Sequence, residues 1–404
     1  MNILKAKNNK GKIFYWLLSL VLITLPFPKY NLNSQCIIAL AIFWLFFNSF
    51  SEKKKNFKEN TGNFFVVSSL FFVSIIGLAY TSNFDQAMSN LKSPFLIFPL
   101  IIFTVGPLTL KETGKLLDLF STATILASLL GLGKALWFHY NGLGEYFYYL
   151  DFAKVLNKHT TYFSLFVCIS LINIAYGVSL KNGFRNIYRL VAIAFLVFVL
   201  YLLSSKVSII CLILTLLIST VGTLIRKNTA QDKMQLVRIL ILFILPIMFL
   251  TPNLKERIFR EKASNLGERI LLWNAIMDNY LEHNLIFGAG TGDGHKGLVD
   301  SYKEIHYDIA ARDHYNAHNQ YLEQLLFYGI LGLILLVVLL LYTFHVLISK
   351  GQPLFFLIFF CFLLYMFSES ILERHSGLVL FSFLTSIFLS TFNGKSAYAE
   401  SQHS

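Results

Sequence analysis

One polar stretch of the chain, residues 269–332, holds most of the side chains that could take part in chemistry. It opens with Arg269 ahead of a short amphipathic run, and a guanidinium there can hold a phosphate group through two parallel N–H bonds. Towards its end, His318, Asn319 and Gln320 stand at the start of an apolar helix that continues through Gly332. A histidine at the boundary between water and membrane can act as a general base or acid near neutral pH. The stretch therefore combines a candidate anion-binding cation with a candidate proton acceptor.

Both residues also have a plain structural interpretation. Arg269 could keep its charge in the interface while its stem lies on apolar surface. His318 could be a residue at a helix N-terminus that has no further role. The residues by themselves leave both alternatives open.

A glycine cluster from Gly288 to Gly294 lies between these two residues and includes Gly290 and Asp293. A dinucleotide-binding fingerprint needs a strand before it and a helix after it, whereas a helical pattern precedes this cluster, so we reject that interpretation. Two others stay open. The cluster is either a turn whose backbone N–H groups approach a substrate, or a tight turn that returns the chain to the membrane. The second interpretation is favoured.

Several histidines share this loop with aspartates, which raises the question of a metal site. They are His283, His295, His306, His314 and His318, with Asp293, Asp308 and Asp313. His314 and His318 are four residues apart and would share a face of a helix, as metal ligands often do. Because no complete metal-binding motif is present, no metal is predicted.

Transmembrane helices are the elements that must position these residues. Hydrophobic residues make up 55% of the 404, charged residues only 14%, and the mean hydropathy is +0.60, whereas soluble domains run to about 25% charged residues. A span needs about 20 mainly apolar residues, and the candidates are 13–27, 32–50, 63–82, 94–110, 115–139, 159–180, 187–204, 207–225, 236–251, 320–348, 353–370 and 376–392. The sequence predicts an all-α integral membrane protein of about 12 transmembrane helices, with one large extracytoplasmic loop between helices 9 and 10.

Further polar groups at predicted membrane edges could also contribute to a site. They are Lys206 between spans 7 and 8, His159 and Tyr162 at the start of span 6, and Glu369, Glu373 and Arg374 between spans 11 and 12. Charges at such places usually face the interior of the helix bundle and form pairs. A structural role and a catalytic role are therefore equally consistent with the acidic group and its arginine.

The formal net charge of +12 is explained by topology, and we do not expect nucleic acid as a partner. Cytoplasmic loops of membrane proteins are rich in lysine and arginine, and most basic residues outside 252–319 fall in such loops if the N-terminus is inside. Short outward loops keep a few, including Lys92 and Lys206. Both termini are thus predicted to be cytoplasmic. The expected organisation is 1–251 with helices 1–9, 252–319 as a periplasmic loop with short helices and catalytic motifs, and 320–404 with helices 10–12 and a short cytoplasmic tail.

In their order along the chain, these motifs resemble those of the bacterial O-antigen ligase / O-antigen polymerase superfamily. The strongest is His318-Asn319-Gln320-Tyr321-Leu322 with Gly329 and Gly332, which is similar to the family's His-Asn-x-x-Leu…Gly-x-x-Gly signature. The other matching segments are Arg269…Trp273, Phe287 to Asp293, His159 to Phe163, Leu203 to Lys206 and Glu369 to Gly377. One departure is Lys206, where many relatives have arginine, because lysine keeps the charge but loses the bidentate fork.

The resemblance implies a GT-C-like glycosyltransferase of the bacterial inner membrane, active in lipopolysaccharide or polysaccharide biosynthesis for the cell envelope. Its donor would be a glycan on undecaprenyl diphosphate. Its acceptor would be lipid A–core in a ligase or another repeat unit in a polymerase. The enzyme would need no metal or cofactor. His318 would be catalytic, and Arg269 would bind the donor diphosphate with help from Lys206. Supporting roles are implied for Asn319, Gln320, Trp273, Gly290, Asp293, His159, Tyr162, Glu369 and Arg374.

Ligase and polymerase are not separated by these motifs, and the histidine signature favours a ligase by a small margin. Transfer to protein side chains is a third possibility within the family. A polytopic transporter or lipid flippase is the alternative from another class. We find no helix-breaking pattern repeated in two matching halves of the chain, which argues against transport.

Overall fold

The computed structural model describes residues 9–28, 30–177, 183–226, 265–283 and 285–393. Within these ranges all regular secondary structure is helical, which confirms the predicted all-helical class. The α-helices are α1 Asn9–Thr24, α2 Tyr30–Phe46, α3 Phe50–Glu59, α4 Thr61–Ile76, α5 Phe84–Asn90, α6 Pro94–Val105, α7 Leu110–Tyr140, α8 Tyr149–Leu156, α9 Thr160–Tyr176, α10 Gly183–Leu203, α11 Lys206–Arg226, α12 Asn265–His283, α13 Gly294–Glu304, α14 Asp308–Arg312, α15 Gln320–Ser349, α16 Pro353–Met366 and α17 His375–Asn393. Short 3-10 turns form at Gly77–Ala79 and Ile371–Glu373.

Several of these segments are long and apolar enough to cross a membrane, as expected of a multi-pass membrane protein. In the described part of the chain, 5 qualify singly: Thr61–Ala79, Phe84–Val105, Leu110–Tyr140, Asn186–Leu203 and Gln320–Ser349. The number rises to 7 if two bent pairs each form one span, Asn31–Phe46 with Phe50–Glu59 and Tyr149–Leu156 with Thr160–Tyr176. The expected span 236–251 lies outside the described residues. The total of about 12 spans, set by the length a span requires, stays a prediction.

The predicted span 32–50 ends earlier than expected. Helix α2 stops at Phe46, and a separate helix, α3, begins at Phe50. A capping box explains the new start, since the Ser49 hydroxyl accepts a bond from the Glu52 amide while the Glu52 carboxylate accepts one from the Ser49 amide. Such a box satisfies two backbone donors that a helix N-terminus leaves without partners.

The chain divides into two compact units, each built from separate segments. Unit 1 contains Met1–Phe47, Leu108–Lys255 and Gly351–Tyr365, and unit 2 contains Asn48–Pro107, Glu256–Lys350 and Met366–Ser404. In unit 1, α9 packs against α7, α10 and α11. In unit 2, α4 and α17 both pack against α6 and α15, while α13 packs against α12, α14 and α15. Most residues discussed below belong to unit 2.

Helix α15 is broken at Gly329, and the break organises unit 2. Gly329 has φ 66° and ψ −163°, a conformation essentially reserved for glycine. The backbone groups that lose their helical partners are bonded instead by the segment before α13. The amides of Ile330 and Leu331 donate to the carbonyls of Leu285 and Ile286. Backbone groups in a membrane helix must be satisfied by protein, so this segment completes the broken span.

The glycine cluster supplies the rest of that pairing. The amide of Ala289 donates to Leu326 at 2.9 Å and that of Gly290 to Phe327 at 3.0 Å. A side chain at Gly288 would meet the backbone of Phe327 and Gly329 at 2.5–2.6 Å. The amide of Gly292, farther along, donates to the hydroxyl of Thr81. The glycines therefore permit close backbone packing, and the amides of Ala289, Gly290 and Gly292 are bonded within the protein rather than offered to a substrate.

Replacing Gly329 by alanine tests this arrangement. An alanine would be strained at this φ, and its Cβ would collide with the carbonyl of Ile286. We expect Gly329→Ala to destabilise the protein by more than about 1–3 kcal/mol, the usual cost of a disfavoured backbone conformation alone. Gly62→Ala is the matched control, since Gly62 lies in α4 with nothing within 4 Å of the added atom. Thermal unfolding in detergent measures both, and an equal effect of the two substitutions would refute the role of the break.

Candidate functional site

The N-terminus of α15 presents the histidine that the sequence singled out. Asn319 caps the helix, and its side-chain oxygen accepts bonds from the amides of Tyr321 and Leu322. His318 precedes the cap with φ 46°, a left-handed conformation. His314 also lies outside any helix, so the expectation that His314 and His318 share a helix face is wrong. A tight, capped turn thus fixes the backbone of His318 at the mouth of the helix.

The ring of His318 contacts a buried carboxylate. Its Nδ1 lies 3.2 Å from Oε1 of Glu369, and their side chains are 26% and 4% exposed. When Nδ1 carries the proton, its N–H donates a hydrogen bond to the Glu369 carboxylate and Nε2 keeps its lone pair. A carboxylate that fixes the tautomer and orientation of an imidazole in this way prepares the other nitrogen to accept a proton.

Gln320 fastens the segment that carries Glu369 to α15. Its side chain is fully buried, and its Oε1 accepts a bond from the Leu372 amide at 2.6 Å while its Nε2 donates to Glu373 at 3.2 Å. Ser370 adds a second connection, because its hydroxyl accepts from the Asn319 amide at 3.3 Å. The role of Gln320 is therefore to hold the chain on either side of the carboxylates in place.

Trp273 links helix α12 to the turn before His318. Its indole N–H donates to the carbonyl of Ala317 at 2.8 Å, and the Ala317 amide donates to Glu323 at 2.9 Å. Arg269 is half-buried on α12 one turn before Trp273, and residues four apart lie on the same face of a helix. The turn that ends at His318 is called the histidine turn below. The Arg-x-x-x-Trp spacing thus places the Arg269 guanidinium on the face of α12 that is bonded to this turn.

Below these residues lies an ion pair that the sequence did not predict. Lys92 lies within the candidate span Phe84–Val105 rather than in an outward loop, and its Nζ donates to Oε2 of Glu373 at 2.6 Å. Burial raises the pKa of the Glu373 carboxyl, but the Lys92 charge and the bonds from Lys92 and Gln320 outweigh burial and hold the pKa below its ordinary value. Removing one partner of a buried pair typically costs about 3–5 kcal/mol, because the other charge stays buried.

Two more titratable side chains surround this pair. His295, Glu323 and Glu373 place one ligand atom each within 4.8 Å of one another, an arrangement that could hold a metal ion. Burial lowers the pKa of His295, with the charges of Lys92 and His314 acting in the same direction and Glu373 opposing them. The metal ligands considered from the sequence, His314, His318 and Asp313, are not part of this group.

Asp293 and Gly290 serve the packing of the glycine cluster. The carboxylate of Asp293 accepts bonds from the hydroxyls of Thr81 and Ser82 and from the Ser82 amide. Burial raises its pKa, but these bonds outweigh burial and keep the pKa below the ordinary value. Gly290 has φ 92° and packs against the ring of Tyr80. Both residues therefore support the site by holding the glycine cluster in place.

The remaining predicted residues are described within their own units. Lys206, His159 and Tyr162 belong to unit 1, where Lys206 is the first residue of α11 and the rings of His159 and Tyr162 meet edge to face at 5.8 Å. Arg374 follows Glu373 in unit 2, and its side chain is exposed at the start of α17.

Lys92 and Glu323 are the residues that sequence reasoning missed. Ser93 and Pro94 follow Lys92 and interrupt the apolar run, so the lysine looked like the end of a span. Glu323 offered a better signal, since it stands in an otherwise apolar helix. A carboxylate inside a span calls for a partner, and that requirement could have directed attention to a buried cation.

The cluster in unit 2 thus contains an oriented imidazole, a cation on a neighbouring helix and a rigid buried network beneath them. Residues 190–337 match a family model described as O-antigen ligase. The match includes Lys206, Arg269, Trp273, the glycine cluster and His318, and it ends before Glu369. No curated protein matches the chain.

Proposed function

We propose that this chain belongs to the O-antigen ligase / O-antigen polymerase superfamily, whose ligase model matches residues 190–337. We propose further that it is a membrane glycosyltransferase that moves a glycan from undecaprenyl diphosphate to an acceptor hydroxyl. The observation that carries the proposal is the contact of 3.2 Å between His318 and Glu369, since it gives a residue of the matched region the geometry of a general base. The preferred acceptor is lipid A–core or a similar glycolipid, as in ligases. In a polymerase, the alternative, it would be another repeat unit.

The reaction needs one proton transfer and one departing group. Nε2 of His318 takes the proton of the acceptor hydroxyl as its oxygen bonds to the anomeric carbon of the donor. The bond from that carbon to the diphosphate oxygen breaks, and undecaprenyl diphosphate leaves as an anion. A lipid diphosphate is already an activated leaving group, so the residues must position it, neutralise its charge and deprotonate the alcohol.

Arg269 is the proposed ligand of the donor diphosphate. It lies on the helix that Trp273 ties to the histidine turn, and a guanidinium matches phosphate oxygens through two parallel bonds. The assisting role of Lys206 stays a prediction from the resemblance. No metal enters the proposed reaction, so we expect glycan transfer to be independent of divalent cations.

The proposed setting is a GT-C-like bundle of about 12 helices in the bacterial inner membrane. Both termini would be cytoplasmic, and 252–319 would form the periplasmic loop between 1–251 and 320–404. The distribution of basic residues supports this orientation. It places the base and the diphosphate at the outer face, where lipid-linked glycans would meet their acceptor.

Cysteine labelling tests the orientation. Glu304 in α13 and Ser51 in α3 are both exposed, whereas the native cysteines other than Cys36 are buried. In a Cys36→Ser background, we expect Glu304→Cys to react with an impermeant thiol reagent in intact spheroplasts and Ser51→Cys to react only after lysis. The reverse pattern would place the site on the cytoplasmic side and contradict the proposal.

Arg269→Lys tests whether the guanidinium of Arg269 binds the donor diphosphate. The substitution keeps the charge but removes the planar fork, and a lost charge-assisted hydrogen bond costs about 1.5–3 kcal/mol, or roughly ten- to a hundredfold in glycan transfer. Transfer of a labelled glycan by the purified protein measures the loss. Parental transfer by both Arg269→Lys and Arg269→Ala would reduce Arg269 to an interfacial anchor.

His318→Asn tests the general base. Asparagine tolerates left-handed backbone better than most residues, so the turn should survive while the base is lost. We expect transfer to fall by about 10²–10⁴-fold, with binding of the lipid-diphosphate donor unchanged. Transfer and donor binding are measured on the same preparation.

His314→Asn is the matched control, because His314 is exposed and has φ 49°, close to the 46° of His318. We expect it to transfer glycan like the parent. Full transfer by His318→Asn would remove the catalytic role, and loss of donor binding together with transfer would reassign His318 from base to diphosphate ligand.

A further inference from the structure

The side chains of His295, Glu323 and Glu373 form a group with the donor set of a metal centre. Imidazole nitrogen and carboxylate oxygen are common ligands of zinc and of other divalent transition metals, and His295, Glu323 and Glu373 bring one such atom each within 4.8 Å of the others. Glu323 is fully buried, and its Oε1 accepts no hydrogen bond within the described part of the chain. Two buried carboxyl groups this close cannot both carry a charge unless a cation lies beside them.

Lys92 already supplies that cation. Its side chain is 4% exposed, and its Nζ donates to Oε2 of Glu373 at 2.6 Å and to the carbonyl of Leu372 at 3.1 Å. A zinc ion would bind the same carboxylate oxygen at about 2.0–2.2 Å. Ammonium and metal would then lie next to each other without screening, so only one of them can occupy the place.

We propose that Lys92 is the resident cation of the His295–Glu323–Glu373 group, where its ammonium takes the place that a divalent metal would otherwise fill. Through Glu373 it positions the segment 369–373, and thereby Glu369 against His318. Lys92 is a positioning residue, and its effect on catalysis rests on the function proposed above.

The hydrogen bonds of segment 369–373 show how the charge of Lys92 influences the position of Glu369. Ser370 holds its start to Asn319 and Glu323, with the hydroxyl of Ser370 donating to Glu323 at 3.0 Å. Glu373 holds its end to Lys92 and Gln320. Without the ammonium, the Glu373 carboxylate stays buried without the cation that balances its charge, so we expect the segment to shift and the contact between Glu369 and His318 to be lost.

A metal titration tests the occupancy directly. Purified Lys92→Ala, the parent and the double variant Lys92→Ala with Glu373→Gln are each titrated with Mn²⁺ alone and with Zn²⁺ alone, and the midpoint of thermal unfolding is recorded. We expect one of these ions to raise the midpoint of Lys92→Ala and to leave the parent and the double variant unchanged. No shift in Lys92→Ala, or the same shift in the parent, overturns the proposal. Because no glycan transfer is measured, this result is independent of the proposed function.

A charge-neutral pair covers the case in which the single variants do not fold. Lys92→Met with Glu373→Gln removes both charges and keeps an amide able to bond Gln320. We expect Lys92→Met alone to lower kcat of transfer at least about tenfold with an unchanged KM for the donor, and the neutral pair to stay within about threefold of the parent, as expected for coupled neighbours.

If Lys92→Met keeps the kcat of the parent, this result contradicts the positioning role of Lys92. A neutral pair that does not fold, or that folds without transferring glycan, overturns the proposal as well, since charge balance would then not be what Lys92 provides. Failure of the proposed function gives a different pattern. In that case the parent itself transfers no glycan, while the cation-dependent shift of Lys92→Ala remains.

Discussion

The structure of unit 2 depends on one requirement of the membrane, that a helix broken inside it must find new partners for its freed backbone groups. Helix α15 is broken at Gly329, and the segment from Leu285 to Gly290 supplies those partners. The glycine cluster is the consequence, because only residues without side chains can approach the break so closely. The same contacts bring α12 and α13 against the N-terminus of α15. The position of the histidine turn therefore follows from the hydrogen bonds that complete the broken helix.

Polar residues beneath that turn form a second layer that is satisfied almost entirely by the protein. Gln320, Ser370 and Glu373 connect α15 to the segment before α17, and Lys92 balances the charge. Positioning by buried hydrogen bonds is more exact than positioning by a surface loop, because every displaced group would lose a partner without gaining water. A base that acts on a sugar hydroxyl benefits from this rigidity, since small errors of placement are costly in rate.

Much of this arrangement could be predicted from local pattern. Apolar runs predicted the helices, and the histidine signature with the Arg269…Trp273 spacing located the turn and the helix beside it. The prediction failed where partners are distant in the chain. Lys92 lies 281 residues from Glu373, and nothing near either residue specifies the other. The glycine cluster was ambiguous for the same reason, because its purpose is defined by a break in a helix that follows later.

The distance between Lys92 and Glu373 along the chain has a consequence for biosynthesis. Ribosomes add about 5–20 residues per second, so roughly 15–60 s pass between the synthesis of the two residues. Throughout that interval the first helices are entering the membrane, and Glu373 is not yet available to pair with Lys92. Its long stem can reach towards the interface and keep the ammonium hydrated until the last segments arrive. Assembly of unit 2 is then completed only at the end of translation, when the ammonium of Lys92 moves into the protein and pairs with Glu373.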